Sequence, residues 1–384
     1  MAENFDAIII GAGVIGASVG LELARQGWRT LNVDRLPAAG YGSTSASCAI
    51  IRSHYSTLDG TALAFEGYQY WRQWADHLGV DDERGLARFE EVGCAITKTP
   101  LNGHMASICA NLDALGIAWE DWDNETLSKR LPIYDLHSYA PAKLPDDPGF
   151  GEATGPSMHG AIFTPQAGYI SDPQLATHNV QVAAEAAGGK FRFNCDVIAI
   201  RQMNGRACGI TLANGDEIDA AVVVNVAGPH SSKVNELAGV AESMTIKTRA
   251  LRQEVVHLPS PDGFDYMTHG PVTSDSDISC YSRPEVGNHI LFGSEDPECD
   301  EREWVDPDNY NTEFTAQWQT QALRAGQRIP SLKIPNQATG VVSLYDVTDD
   351  WIPIYDVSDL PGFYMAVGTS GNQFKNAPVA GAMM

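Results

Sequence analysis

The sequence predicts a mixed α/β (α+β overall) protein. A Rossmann-type domain, discontinuous along the chain, carries an inserted, mostly antiparallel β domain. Three observations carry this reading. A strand-glycine turn-helix-strand pattern runs from Phe5 to Asp34. Apolar runs of the parallel-strand kind recur in the middle, at Ala220 to Val226, and near the C-terminus. Antiparallel signals fill the gaps between them.

Phe5 to Ile10 is a nearly continuous apolar run, as a strand buried on both faces should be. Gly11 to Gly16 is a glycine turn. Ala17 to Gln26 is helical, with Val19, Leu23 and Ala24 on one side and Gly27 as a C-terminal stop. Thr30 to Val33 is a second strand. Further on, Gly93 to Thr99 reads as a strand and His104 to Leu115 as a helix stopped by Gly116. Leu144 to Gly160 is rich in Pro, Gly and Asp and reads as a loop or boundary. Pro173 to Ala187 is helical and ends at Gly188-Gly189. Phe191 to Arg201 and Ala207 to Leu212 read as paired strands turned at Asn204-Gly205, and Asn214-Gly215 leads into a further strand. Arg249 to Leu258 and Ser279 to Gly293 read as longer β segments. These elements assign residues 1–90, 160–240 and 335–384 to the Rossmann-type domain. Residues 91–159 and 241–334 go to the inserted one. No internal repeat or low-complexity tract interrupts them.

The chain has 384 residues, 43% of them hydrophobic, enough for a sizeable core and two or three domains' worth of chain. Its formal net charge of −24 disfavours nucleic acid and anionic lipid as partners. The seven cysteines, Cys48, Cys94, Cys109, Cys195, Cys208, Cys280 and Cys299, stand singly, without a C-x-x-C pair or a Cys/His cluster. That pattern implies reduced thiols, no disulfide framework and no metal site. With no basic leader and no apolar run of membrane-spanning length, the expectation is a soluble cytoplasmic protein.

Gly11, Gly13 and Gly16 form G-x-G-x-x-G between a strand and a helix. The first glycine permits the tight turn, the second admits a pyrophosphate to the backbone, and the third lets helix and strand pack closely. The helix N-terminus, at Val14 and Ile15, offers oriented N–H groups and a partial positive charge. Asp34 follows about 20 residues later, where a carboxylate can accept bonds from ribose hydroxyls, with Arg35 beside it. The motif calls for a dinucleotide. No second glycine fingerprint appears, so these residues alone leave NAD and FAD both open.

Further segments resemble the glycine/sarcosine/D-amino-acid oxidase family of flavoproteins. Gly42-Ser43-Thr44-Ser45 through Ile50-Ile51-Arg52-Ser53-His54-Tyr55 is similar to the family's second flavin loop, most of all in its sarcosine oxidase branch. Val224-Asn225-Val226-Ala227-Gly228-Pro229 resembles its N-A-A-G-P turn. Ser343-Leu344-Tyr345-Asp346-Val347-Thr348-Asp349-Asp350-Trp351-Ile352-Pro353-Ile354 resembles its Y-D-x-T-P-D-x-x-P-I segment. Gly368-Thr369-Ser370-Gly371-Asn372-Gln373-Phe374-Lys375-Asn376-Ala377-Pro378 resembles its G-x-S-G-H-G-F-K-x-x-P motif. The matches run in order along nearly the whole chain. The resemblance implies that the Rossmann-type domain binds FAD. It implies cofactor contacts at the fingerprint, at Gly42 to Ser45, Ile50, Ile51, Val197, Ala227 and Gly228, and at Gly368 and Ser370 to Lys375. Lys375 and the N–H groups before it would stabilise negative charge on the reduced ring; a solvated surface lysine is the alternative reading.

The sequence departs from that family pattern in places. Ser343 stands where the sarcosine oxidase branch has the cysteine that carries flavin covalently, and Thr44 to Cys48 contains no histidine for attachment. The FAD is therefore expected to be non-covalent. Asn372 and Gln373 replace the motif's histidine and glycine. Leu291 aligns with a lysine that assists reaction with oxygen. The chain ends at Met384, inside the helix expected after Pro378, where family members continue.

The implied reaction is hydride transfer from a small amino acid to flavin N5. The substrate would be a sarcosine-like N-methyl amino acid, glycine or a D-amino acid, and the product an imine. It asks the protein for position, a dry pocket and charge. Arg52, Lys375 and Arg283 are the candidates to hold a substrate carboxylate. Tyr345 and Tyr281 are candidates to line the pocket, each with a core aromatic as the alternative. His54 is a candidate base, or else a structural histidine. Oxygen or an electron carrier would be the acceptor, and an oligomer or partner subunit stays open. The competing readings are a 2-hydroxy-acid or glycerol-phosphate oxidoreductase on the same fold, and a flavin-binding subunit of an electron-transfer complex.

Overall fold

The structure, a computed structural model, describes residues 4–102 and 104–384. Among these residues two large sheets organise the chain, of eight and nine strands. The first is built on β1 (Asn4–Ile10), which pairs in parallel with β2 (Thr30–Val33) on one edge and with the strand Glu217–Asn225 on the other. Lys190–Arg192 extends this parallel set beyond β2, and Phe363–Val367 extends it beyond Glu217–Asn225. The hairpin strands Val197–Met203 and Arg206–Leu212 join antiparallel.

Strand alternation divides the apolar run of β1 between two cores. Ala7 and Ile9 face helix α1 (Val14–Arg25) and the helix Pro173–Ala186. Ile8 and Ile10 face the opposite layer, where Val234 and Ala238 pack. A strand covered on both sides needs such an unbroken apolar run. Helix α2 (Leu58–Arg72) and the helix Ala377–Met383 complete the first layer.

The second sheet is antiparallel except where Val272–Asp275 runs parallel to Cys94–Thr97. Its long strand Thr248–Pro259 pairs with both His289–Ser294 and Gly340–Thr348. The helix Ala316–Arg328 backs it through Trp318, Ala322 and Ala325. Behind the sheet Arg328 is buried between Asp275 and Asp277, at 2.7 and 2.8 Å.

Several elements differ from the sequence reading. The stretch 191–201 is two strands: Asn194, at φ 55°, turns the chain, so Lys190–Arg192 pairs with β2 while Val197–Met203 enters the hairpin. The stretch 279–293 is likewise a hairpin, folded at Gly287 and Asn288, both of positive φ. Residues 340–348, grouped by sequence with the first domain, pair in the second sheet, as does Ala161–Thr164. Neither placement leaves a local trace, because an apolar strand reads the same in either sheet.

Candidate active site

A cavity of about 2040 Å³ runs between the two sheets, several times the space a compact ligand needs. One end is made of backbone. Gly11 sits at φ +118°, and a Cβ on it would lie 2.2 Å from the Val226 carbonyl oxygen. Gly16 lets α1 approach, since a Cβ there would lie 2.3 Å from the Gly11 carbonyl oxygen. The N-terminus of α1 opens on the cavity with no side-chain cap from Gly13. The Val14 N–H donates to Thr44 Oγ1 at 3.2 Å, tying the second loop to the first. Asp34 closes this end: its carboxylate accepts from the N–H groups of Ala12 at 2.7 Å and Leu36 at 2.8 Å. Burial nonetheless holds its acidity below that of a free carboxyl. Arg35 donates to Asp308 at 2.5 Å, which also accepts from Lys233 at 2.6 Å. All three side chains line the cavity.

The other end is made of side chains. Arg52 and Lys375 both face the ring of Tyr55, with Arg52 Cζ at 4.7 Å and Lys375 Nζ at 5.3 Å from its centroid. Burial alone would raise the Tyr55 phenol, but Lys375 and then Arg52 outweigh it and leave it below the ordinary value. Its hydroxyl is buried beside the Lys375 ammonium. Lys375 is 2% exposed, and burial, reinforced by Arg52, lowers its ammonium. Its Nζ donates to the Asn372 carbonyl, and its own carbonyl accepts from Trp71 Nε1 at 2.8 Å. Two cations thus lie together on the cavity wall.

His54 lies beside them, buried and with Nδ1 unpartnered. Burial first, then Arg52 and Lys375, hold it well below its usual value, so it is neutral. Tyr281 and Tyr345 line the opposite wall with hydroxyls 3.3 Å apart, and Cys48 Sγ is 3.3 Å from Tyr281 Oη. Ser343 also lines the cavity.

Of the residues assigned from sequence, three fall outside the cavity wall. Ile51 follows Ile50 on β3 (Ile50–Ile51), and strand alternation turns it into the core. Gly368 lies behind its own loop, its N–H donating to Asp346 Oδ2 at 2.6 Å. Arg283 spends its charge on neighbours: it pairs with Glu285 at 2.8 Å and lies 4.6 Å from the centre of the Tyr169 ring. Leu291 is also buried away from the wall.

Sequence reading missed two carboxylates. Glu295 lines the cavity and accepts from the hydroxyls of Ser274 at 2.6 Å and Ser276 at 2.9 Å. Asp346 lies beneath the Gly368–Ser370 turn, and burial pushes its carboxyl up to about 7. Asp346 stood inside a quoted motif; nothing local marked Glu295.

A helix N-terminus without a cap from Gly13, a close-packed glycine turn and a half-buried acid fit a dinucleotide, and the cation pair lines the same cavity. That is the arrangement of a cofactor-dependent oxidoreductase. The profile of the DAO family, FAD dependent oxidoreductase, matches residues 6–384, and the chain belongs to that family. It is 23% identical to monomeric sarcosine oxidase of Bacillus sp. (strain B-0618), covering 100% of this chain and 92% of that one. It is 26% identical to the tRNA 5-methylaminomethyl-2-thiouridine biosynthesis bifunctional protein MnmC of Paraburkholderia xenovorans (strain LB400), over 68% of this chain. It is 25% identical to a glycerol 3-phosphate dehydrogenase of Caloramator mitchellensis, over 61%. The matches span 35% and 44% of those two proteins' lengths. The crystal structure of L-proline dehydrogenase from P. horikoshii superposes with a TM-score of 0.80 at 19% identity, covering 99% of this chain and 92% of that one. The chain is thus an FAD-dependent oxidoreductase. No helix among the described residues is long and apolar enough to cross a membrane.

Proposed function

We propose that this oxidoreductase acts on a small amino acid, removing hydride from the carbon beside its nitrogen. The observation that carries the reading is the pair Arg52 and Lys375 about the Tyr55 ring, on the wall of the same cavity as the glycine turn. Bound FAD supplies the hydride acceptor. The chain's own residues bind and orient. Gly11 to Gly16 and Asp34 hold the dinucleotide, Arg52 and Lys375 take the substrate carboxylate, and Tyr281 and Tyr345 wall the site. Low dielectric around these groups strengthens each charge contact. The similarity to monomeric sarcosine oxidase supports an amine as the oxidised group. The unpaired cysteines support a reducing compartment such as the cytoplasm.

The test is anaerobic bleaching of the flavin against N-methyl amino acids, D-amino acids, 2-hydroxy acids and glycerol 3-phosphate. Bleaching by an amino acid alone is expected. Bleaching by glycerol 3-phosphate or a hydroxy acid alone transfers the same cation pair to a phosphate or hydroxy-acid substrate. Acid precipitation should release the flavin into the supernatant, because Ser343 cannot form a thioether.

A further inference from the structure

Glu295 is a carboxylate in a place that disfavours one. It lines the cavity, both its oxygens are held by serine hydroxyls, and among the described residues it forms no ion pair. Around it the wall mixes apolar and polar groups: Ile96 and Val272 lie on the same face of the sheet as Ser274. Burial raises its carboxyl, and Arg52 acts in the opposite direction. The charged and titratable groups facing it are Arg52 from the β3 loop, Asp275 on the adjacent strand, and the thiols Cys94 and Cys280. Asp275 and Asp277 are both paired with Arg328, which is therefore no partner for Glu295. Glu295 is half-buried, and a partly desolvated carboxylate with no cation paired to it is favoured by a positively charged ligand.

We propose that Glu295 receives the positively charged nitrogen of the substrate while Arg52 and Lys375 hold its carboxylate. The site thereby reads a zwitterion and rejects hydroxy acids of the same shape. This rests on the carboxylate role given above to Arg52 and Lys375. It also places a proton. The nitrogen must be neutral before hydride leaves the neighbouring carbon, and Glu295 is the acceptor within the site. The N–H bond breaks, an O–H bond forms on Glu295, and the electron pair stays on nitrogen.

Two ligands of the same shape test the recognition. Trimethylammonioacetate carries a fixed positive nitrogen, and 3,3-dimethylbutanoate has carbon in its place. Titrated by calorimetry into the FAD-loaded protein, the first should bind about tenfold or more tightly than the second. Glu295→Gln, which keeps acceptor and donor atoms for the two serines, should abolish that preference while retaining 3,3-dimethylbutanoate affinity and FAD content. Equal binding of the two ligands by the wild-type protein overturns the role of Glu295 and leaves the carboxylate clamp standing. Failure of both to bind overturns the clamp and the proposal together. For the proton, the amino acid that bleaches the flavin fastest is used across pH. Glu295→Gln should move the acid limb of the reduction rate upward, toward the ammonium's own pKa. An unmoved limb removes the proton-accepting role.

Discussion

The two ends of the cavity are made of different material. At the proposed nucleotide end the wall is backbone: a turn at Gly11, a close helix at Gly16, a helix N-terminus without a cap from Gly13, and one acid. At the proposed substrate end the wall is made of side chains brought together from distant segments: Arg52 and Tyr55, Glu295, Tyr345 and Lys375. A backbone site needs particular residues at fixed short spacing. A side-chain site needs only that some strand or turn, from anywhere in the chain, delivers the right group. The first kind should fail as a unit when its turn is altered. The second should fail one function at a time.

The largest effect is expected at the turn. Gly11→Ala puts a Cβ against the Val226 carbonyl at a φ that alanine rarely adopts. Strain of roughly 1–3 kcal/mol, with a backbone clash added, should abolish FAD binding. Full flavin absorbance in the purified variant would break the contrast between the two ends.

Arg52→Ala should instead leave FAD content near normal and weaken carboxylate binding. Removing one member of a desolvated charged contact costs about 2–5 kcal/mol, or tens-fold and more in Kd. Lys375→Ala should do the same and also slow flavin reduction. Propionate titrations and anaerobic stopped-flow traces measure both. Unchanged affinity and reduction in the two variants would move the clamp elsewhere.

Asp346 supports the Gly368–Ser370 turn from below. Its carboxyl titrates near 7 when folded, above the ordinary unfolded value of about 3.9. The folded state therefore holds the proton more tightly. The stability from this group is fully present below about pH 4 and is lost as pH rises through 7, at most about 4 kcal/mol. Asp346→Asn should gain Tm relative to the wild type between pH 5 and pH 8. A constant difference between variant and wild type across that range would exclude the titration.

The smallest effect on binding is expected at Arg283. Arg283→Met removes a guanidinium committed to Glu285 and the Tyr169 ring, outside the cavity. Stability should fall, while propionate affinity stays within about twofold of wild type, a change worth well under 1 kcal/mol. A tens-fold loss would bring Arg283 back to the substrate end.

The nucleotide end was readable from residues alone because its physics is local. Gly11, Gly13, Gly16 and Asp34 lie within one β-α-β unit, and the strand on either side announces itself by apolar runs. Arg52 and Lys375 came from family resemblance; no periodicity distinguishes either from a surface cation. Arg283 looked equally good on paper, but one strand position decides whether a guanidinium meets the cavity or its neighbours. The sheet membership of residues 340–348 was likewise hidden, since pairing partners are chosen across the fold.

What the amino-acid order settled, then, was the α/β class, the glycine turn and the acid that follows it, all set by backbone sterics over a few dozen residues. The meeting of Arg52 with Lys375 across the Tyr55 ring waited on the folded chain, as did the exclusion of Arg283 and the presence of Glu295. Those depend on strand register and on which face of a sheet is left open, and a shift of one residue in register turns every side chain to the other face.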